Sequence, residues 1–197
     1  MSNIVSKTAR DYAQLAQRAY TTPPLIGAEA SAARAIVEGN AVAFPGTNNV
    51  ACWLADLDAA TVNVPGYGTL HAGFWRAFCS IQGPLSLLPP PDVTVGHSEG
   101  AALAILFAAA LCQARRPPKE VYAFEPPRVS ADGTLAALFA AHGVAVHIYR
   151  NGEDVVPLVP RVLHAWQHPA PVIPIGKASL PVPNVEDHFI NHVVAAL

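Results

Sequence analysis

The chain has 197 residues, of which 52% are hydrophobic and 13% charged, so it can bury a substantial core within a single domain. Its formal net charge of −2 gives no electrostatic reason to expect nucleic-acid binding. The longest apolar run, at 101–112, is too short to cross a bilayer, so no stable membrane insertion is expected.

The N-terminus and the cysteines bear on location and redox state. The first twenty residues are polar and helix-patterned, unlike a signal sequence, which predicts a cytoplasmic protein while leaving secretion by another route open. Cys52, Cys79 and Cys112 are widely spaced and odd in number, without metal-ligand spacing. They are therefore expected to be reduced thiols in the core. The oligomeric state is left open.

The first half of the chain alternates helical and extended patterns. In chain order these predict a helix at 6–20, a hairpin with strands at 35–37 and 41–44, a helix at 50–59, an extended piece at 62–64 and a helical segment at 71–87.

The stretch at 92–112, DVTVGHSEGAALAILFAAALC, joins a β-branched strand to a helix rich in Ala and Leu. Between them lies a G-x-S-x-G pattern in which Gly96 and Gly100 flank Ser98. A strand that turns directly into a helix forces strained backbone angles on the apex residue, and flanking glycines avoid collisions there. This nucleophile elbow would hold Ser98 at the carboxyl edge of a sheet, near helix N–H groups. The alternative is a glycine-rich turn that carries a serine. As the backbone neighbour of Ser98 in the elbow, His97 is expected to point away from the site and to be a packing residue.

The second half continues the alternation. Strands are predicted at 121–124 and 144–149 with a helix at 132–142 between them, followed by a proline-punctuated tail and a last helix at 185–197. Strands alternating with helices predict a central, mostly parallel sheet flanked by helices, an α/β fold. No linker separates domains, so residues 1–197 are expected to form one compact domain.

A serine hydroxyl needs a base, and the base works best when a carboxylate orients it. In elbow folds the chain order is serine, acid, histidine. Asp154 lies in the loop after the strand at 144–149, where catalytic groups of parallel sheets gather. His188 and, one turn later, His192 lie at a loop-to-helix junction near the end of the chain. Asp154 as a simple turn acid and His192 as a rival base are the alternatives.

Seven short segments follow one another over most of the chain. They are AFPGT at 43–47, WLADL at 53–57, HAGF at 71–74, GHSEGAALA at 96–104, PRV at 127–129, DVVP at 154–157 and DH at 187–188. This series resembles the motifs of the class 3 lipases, a family of fungal-lipase-like α/β hydrolases. Each motif is weak alone, but seven in order are specific.

The resemblance implies an α/β-hydrolase fold and a serine carboxylic-ester hydrolase, a lipase or esterase, acting on acyl esters or lipids. It assigns Ser98, Asp154 and His188 as a catalytic triad, and the backbone N–H groups of Thr47 and Glu99 as the oxyanion hole. It implies no metal and no organic cofactor. A thioesterase, phospholipase or acyltransferase would use the same triad, and a non-catalytic binding domain with this fold is the alternative from another class.

Several residues depart from the family pattern. Pro45 stands in place of an arginine, Glu99 in place of an apolar residue and His192 in place of a tyrosine. Glu125 and Ser130 replace the glycines that flank the P-R-V motif. None of these departures removes a member of the expected triad, but together they indicate a divergent relative.

Members of this family carry a lid after the oxyanion loop, and the segment at 49–59 occupies that position. Trp53, Leu54 and Leu57 fall with Val50 on one apolar face of two helical turns. The face either covers the site as a mobile lid or packs as a fixed core helix. The compact tail and the reduced cysteines favour a small-substrate esterase with weak or absent interfacial activation.

Overall fold

The fold is organised around a central sheet with helices on both faces. The computed structural model describes residues 7–47, 49, 59–161 and 165–197. The strands of the described residues are β1 Ile36–Glu38, β2 Ala41–Phe44, β3 Thr61–Val64, β4 Gly68–His71, β5 Val93–His97, β6 Glu120–Phe124, β7 Ala145–Asn151 and β8 Val172–Ile175. Their α-helices are α1 Ala9–Arg18, α2 Ala72–Ser86, α3 Glu99–Gln113, α4 Thr134–His142 and α5 Ile190–Ala196.

Six strands form the central sheet in the order β1-β2-β5-β6-β7-β8. Only β1 runs antiparallel to its neighbour, and every other pair in this sheet is parallel. The predicted mostly parallel α/β sheet is therefore confirmed. Because β5 lies between β2 and β6, the residue that follows β5 emerges at the middle of the sheet's carboxyl edge. That residue is Ser98.

The two faces of the sheet bury separate hydrophobic cores, because strand side chains alternate between faces. Val42 and Phe44 join the core under α2, α3 and α4, whereas Ala41 and Ala43 join the core under α1 and α5. Helix α3 is buried along almost its whole length. Its alanines let it lie close to the sheet, and this close packing fixes where α3 begins relative to β5.

The last helix is shorter than the helix predicted at 185–197. Residues Glu186–His188 form a 3₁₀ turn, Phe189 is extended with ψ 133°, and α5 begins only at Ile190. The side chain of Asn184 accepts a hydrogen bond from the Asp187 N–H at 2.7 Å, which ties the turn to the preceding loop. The break at Phe189 allows the His188 side chain to lie in the interior, where a continuous surface helix would not place it.

Three further features differ from the sequence predictions or complete them. Between the extended piece predicted at 62–64 and the helical segment predicted at 71–87, the structure has β4, which pairs antiparallel with β3 in a separate two-stranded sheet. Cys112 is buried as expected, but Cys79 is exposed and is not a core residue. In the described ranges, no helix combines the length and the apolar character needed to cross a membrane.

Candidate active site

Ser98 occupies the sharp turn that the sequence predicts between strand and helix. Its backbone has φ 58° and ψ −131°, a strained conformation for a residue with a Cβ atom. The Ser98 N–H donates to the Phe124 carbonyl at 2.9 Å, which ties the turn to the neighbouring strand β6. The side chain is completely buried. The nucleophile elbow is thus present in the structure.

The glycines around the turn are required by close backbone packing. A Cβ atom on Gly96 would overlap the Gly100 carbonyl, and one on Gly100 would overlap the carbonyls of Phe44 and Pro45. A Cβ atom on Gly46 would lie 2.7 Å from the Ser98 Cβ. The loop that follows β2 therefore lies directly against the serine.

The two predicted oxyanion donors flank Ser98. Glu99 is the first residue of α3, so its N–H has no intrahelical acceptor. Thr47 follows Gly46 in the adjacent loop and is half-buried, and its hydroxyl accepts a hydrogen bond from the Asn49 N–H at 3.3 Å. Burial raises the pKa of the Glu99 carboxyl, which disfavours a negative charge next to the helix N-terminus. The space between the start of α3 and the loop of Thr47 is therefore suited to a negative charge that develops on a bound molecule.

Asp154 and His188 are joined by a short hydrogen bond. The His188 Nδ1 lies 2.6 Å from the Asp154 Oδ2, and both side chains are completely buried. The Asp154 Oδ1 accepts a second bond from the Val156 N–H at 3.0 Å. Burial alone would raise the pKa of Asp154, but the bond from His188 and the backbone donor outweigh it, so its pKa is lowered. An ionised Asp154 fixes the proton of His188 on Nδ1 and leaves Nε2 as the free base.

Asp187 holds the loop of His188 against the loop of Asp154. Its carboxylate accepts from the N–H groups of Glu153 at 2.9 Å and Ser179 at 3.1 Å, and from Asn184 Nδ2 at 2.9 Å. These donors outweigh the opposing effect of burial and lower the pKa of Asp187 to about 2. Glu153 instead pairs with Arg150 at 2.7 Å. Of the three neighbouring acids, only Asp154 contacts the His188 ring through its carboxylate.

His97 lies against the site, so the expectation that it points away is wrong. Its ring stacks at a tilt on that of His188, with 4.8 Å between centroids. His97 Nε2 donates to the His188 carbonyl at 2.7 Å, and Nδ1 accepts from the Tyr20 hydroxyl at 2.6 Å. Burial, reinforced by the neighbouring His188, lowers the pKa of His97 to about 3. The neutral ring supports the backbone of His188.

Glu125 is a site residue to which the sequence analysis gave no role. It is completely buried at the end of β6, and its side chain lies beside that of Asp154. Polar atoms of Glu125, Asp154 and His188 all lie within 4.8 Å of one another. The only sequence signal was its place in the family pattern, where a glycine is usual.

The side chains of Ser98 and His188 are both buried and are not hydrogen-bonded to each other. Ser98 Oγ and His188 Nε2 are buried, and neither has a hydrogen-bond partner among the described residues. A cleft of about 220 Å³ lies beside them, lined by Thr47, His188 and Phe189 among others. The rival base His192 is half-exposed, 3.6 Å from Glu186.

The expected lid residues, Trp53, Leu54 and Leu57, lie outside the described residues, so lid and interfacial behaviour stay predictions.

Comparison with known sequences identifies relatives of the chain. The family model described as Lipase (class 3) matches residues 41–164. Secreted mono- and diacylglycerol lipase A of Penicillium cyclopium is 31% identical over an alignment of 142 residues, and the match covers 66% of this chain and 46% of that protein. The protein of the same name from Penicillium camembertii gives the same values. The chain therefore spans just under half the length of these curated relatives.

Solved structures resemble the chain over a larger share. The triacylglyceride lipase of Rhizomucor miehei gives a TM-score of 0.71 at 19% identity and covers 90% of each chain. A mutant form of MDLA from Penicillium cyclopium gives 0.66 at 22% identity, covering 91% of this chain and 83% of that one. At such identities the likeness concerns the fold, and it confirms the predicted α/β-hydrolase architecture.

Proposed function

This chain belongs to the class 3 lipase family, and on that premise we propose that it is a serine carboxylic-ester hydrolase with Ser98, His188 and Asp154 as its triad. The observation that carries the proposal is the buried Asp154–His188 hydrogen bond of 2.6 Å beside a serine on a strained elbow. A lone buried Asp–His pair has structural uses, but a free His188 Nε2 and a free Ser98 Oγ in the same interior favour proton transfer.

In the acylation step, His188 Nε2 takes the proton of the Ser98 hydroxyl as Oγ attacks the ester carbonyl carbon. Asp154 holds the imidazole in the correct tautomer and stabilises the imidazolium that forms. The oxygen of the tetrahedral intermediate accepts hydrogen bonds from the N–H groups of Glu99 and Thr47, and the Thr47 hydroxyl adds a third donor.

The intermediate then collapses. The bond to the alcohol oxygen breaks, the alcohol leaves with the proton held by His188, and the acyl group stays on Ser98 as an ester. Water attacks this acyl-enzyme with His188 again as base, which releases the carboxylic acid and restores the serine. Ser98 is completely buried, so a substrate reaches it only when the residues that cover it move.

The proposed substrates are acyl esters, lipid esters included. The Penicillium relatives are named as mono- and diacylglycerol lipases, and Phe189 and Ile190 give the cleft beside His188 an apolar wall. A thioesterase, phospholipase or acyltransferase would use the same groups. A non-catalytic binding domain explains neither the free Nε2 of His188 nor the elbow strain at Ser98.

Location and domain organisation also stay proposals. The expected cytoplasmic location has no support from the comparisons, since the Penicillium relatives are named as secreted enzymes. Separate assays of cell extract and culture medium distinguish a cytoplasmic from a secreted protein.

The proposal of one domain is supported by the two hydrophobic cores, which lie on opposite faces of the same sheet.

A panel of p-nitrophenyl esters of increasing acyl length tests the function. We expect hydrolysis that saturates with substrate and is abolished in Ser98→Ala, with a preferred chain length that reports the depth of the acyl site. A matched panel of thioesters measures the main rival activity. Turnover by Ser98→Ala at the wild-type rate would contradict the proposal.

A further inference from the structure

Glu125 stands at the same sheet edge as the proposed triad. The strands β5, β6 and β7 are neighbours, and Ser98 follows β5 as Glu125 follows β6. Glu125 has φ 51°, in the left-handed region that a glycine adopts without cost. Its N–H donates to the Tyr149 carbonyl at 3.0 Å, so the strained backbone is fixed between strands. A buried carboxyl group in such a position calls for a physical reason.

The two oxygens of Glu125 have different surroundings. Oε1 accepts a hydrogen bond from the Asn151 N–H at 2.5 Å. Oε2 is buried and meets no N–H or O–H donor among the described residues. A carboxyl oxygen of Glu125 lies within 4.8 Å of a carboxylate oxygen of Asp154. Two carboxyl groups this close, both completely buried, cannot both be ionised. One proton must lie between them.

The surrounding donors decide which group holds that proton. Asp154 has the N–H of Val156 and the Nδ1–H of His188, whereas the described part of the chain offers Glu125 only the N–H of Asn151. Burial, followed by the neighbouring Asp154 carboxylate, raises the pKa of Glu125 well above its usual range. Donors to Asp154 hold the pKa of that carboxyl down. The proton therefore belongs to Glu125.

The other charged groups nearby do not reverse this assignment. Arg150 is the only cation facing Glu125 among the described residues that affect it, and its guanidinium is engaged by Glu153 and by the Asp154 carbonyl. His97 packs against the His188 ring and is neutral because burial lowers its pKa to about 3.

We propose that Glu125 is a protonated positioning residue whose carboxylic O–H donates to the Asp154 carboxylate and so holds it in the orientation that accepts from His188. This inference rests on the proposed function, because Glu125 would act by positioning Asp154 of the proposed triad. The added hydrogen bond spreads the charge of Asp154 and makes it a weaker base. At alkaline pH, loss of the Glu125 proton would place a second negative charge in the same buried space.

Urea unfolding over a range of pH tests the proton independently of activity. A carboxyl whose folded-state pKa is raised stabilises the fold at low pH, and this contribution is lost as pH rises from the unfolded value of about 4.5 towards the folded one. Relative to Glu125→Gln, the wild-type unfolding constant should therefore increase by about tenfold per pH unit in that window. Glu29→Gln, which removes an exposed carboxyl, should keep the wild-type slope.

Ester hydrolysis by two variants then tests the positioning role. Glu125→Gln keeps both a donor to Asp154 and an acceptor for Asn151, so kcat should stay within about threefold of wild type. Glu125→Met keeps neither and should lower kcat about tenfold with little change in KM. It should also move the acid limb of kcat/KM to higher pH, because a more basic Asp154 holds the proton of the His188 imidazolium more tightly. The Gln variant should not show this shift.

Two outcomes overturn the inference and one overturns only the proposed function. If the unfolding constant of Glu125→Gln depends on pH as steeply as that of the wild type, Glu125 holds no proton in the folded protein. Equal kcat and equal acid limbs in the Gln and Met variants would show that the O–H positions nothing. If the slope is found but wild-type protein hydrolyses no ester, the proton assignment stands and the proposed function fails. Should the Met variant not fold, the Gln variant decides the inference through its unfolding slope.

Discussion

The elbow around Ser98 and the two loops that carry Asp154 and His188 reach the same sheet edge by different means. The elbow is one continuous stretch, and its geometry follows from steric contacts of Gly96 and Gly100 with neighbouring backbone. The loops are 34 residues apart in sequence and are joined by hydrogen bonds of buried polar side chains. The proposed nucleophile is therefore placed by close packing, and the proposed base by polar side chains such as that of Asp187.

This difference has a consequence for robustness. A steric arrangement tolerates changes of pH but not an added methyl group. A polar arrangement tolerates small changes of shape, but it fails when a buried donor or acceptor loses its partner. The two regions should therefore fail under different substitutions.

The largest effect is expected in the polar region, at Asp154. Asp154→Asn removes the charge that fixes the His188 tautomer and should lower kcat by about 10⁴-fold while the fold is kept. Kinetics with a short-chain ester and a circular-dichroism melt measure the two properties. Glu153→Gln, one residue away and paired with Arg150, should change kcat less than about twofold. A larger loss in Glu153→Gln than in Asp154→Asn would reverse the assignment.

The elbow should break under one added methyl group. Gly100→Ala forces a Cβ atom onto the carbonyls of Phe44 and Pro45 and should cost about 3 kcal/mol of unfolding free energy. The matched control is Gly133→Ala, where an added Cβ meets nothing within 4 Å and should change stability by about 0.5 kcal/mol or less. Chemical denaturation of both variants measures the difference. Equal stability of the two would show that the elbow is not tightly packed.

A smaller effect, dependent on pH, is expected at Asp187. Its pKa is lowered from 3.8 to about 2, so its contribution to stability is present above about pH 4 and is lost as pH falls towards 2. Asp187→Asn should cost about 2 kcal/mol at pH 7, and this difference from wild type should shrink in acid. Denaturation at several pH values checks it. A cost that is the same at pH 7 and pH 2.5 would show that the charge of Asp187 does not hold the loops together.

Much of the architecture could be predicted because its signals are local. The β-branched strand, the G-x-S-x-G turn and the Ala-rich helix predict β5, Ser98 and α3 within a few residues. Asp154 and His188 could be singled out because one follows a predicted strand and the other starts a predicted helical segment.

What could not be predicted depends on contacts between distant residues. Helical propensity alone predicts a continuous helix from Asn184. The structure instead has a break at Phe189, and the buried His188 before it is hydrogen-bonded to Asp154. The contacts of His97 with Tyr20 and His188 span 77 and 91 residues, so no local pattern shows that its ring lies against the site. Glu125 was noticed only as an unusual residue, since its role depends on Asp154, which no local pattern places beside it.

Covalent labelling tests the central claim most directly, namely that His188 activates Ser98. Treatment with an organophosphonate followed by peptide mass spectrometry should find one adduct, on Ser98, in wild-type protein. His188→Asn should slow labelling by orders of magnitude, whereas His192→Asn, changed at a half-exposed histidine near Glu186, should label at the wild-type rate. An adduct on another residue, or labelling of His188→Asn at the wild-type rate, would contradict the account.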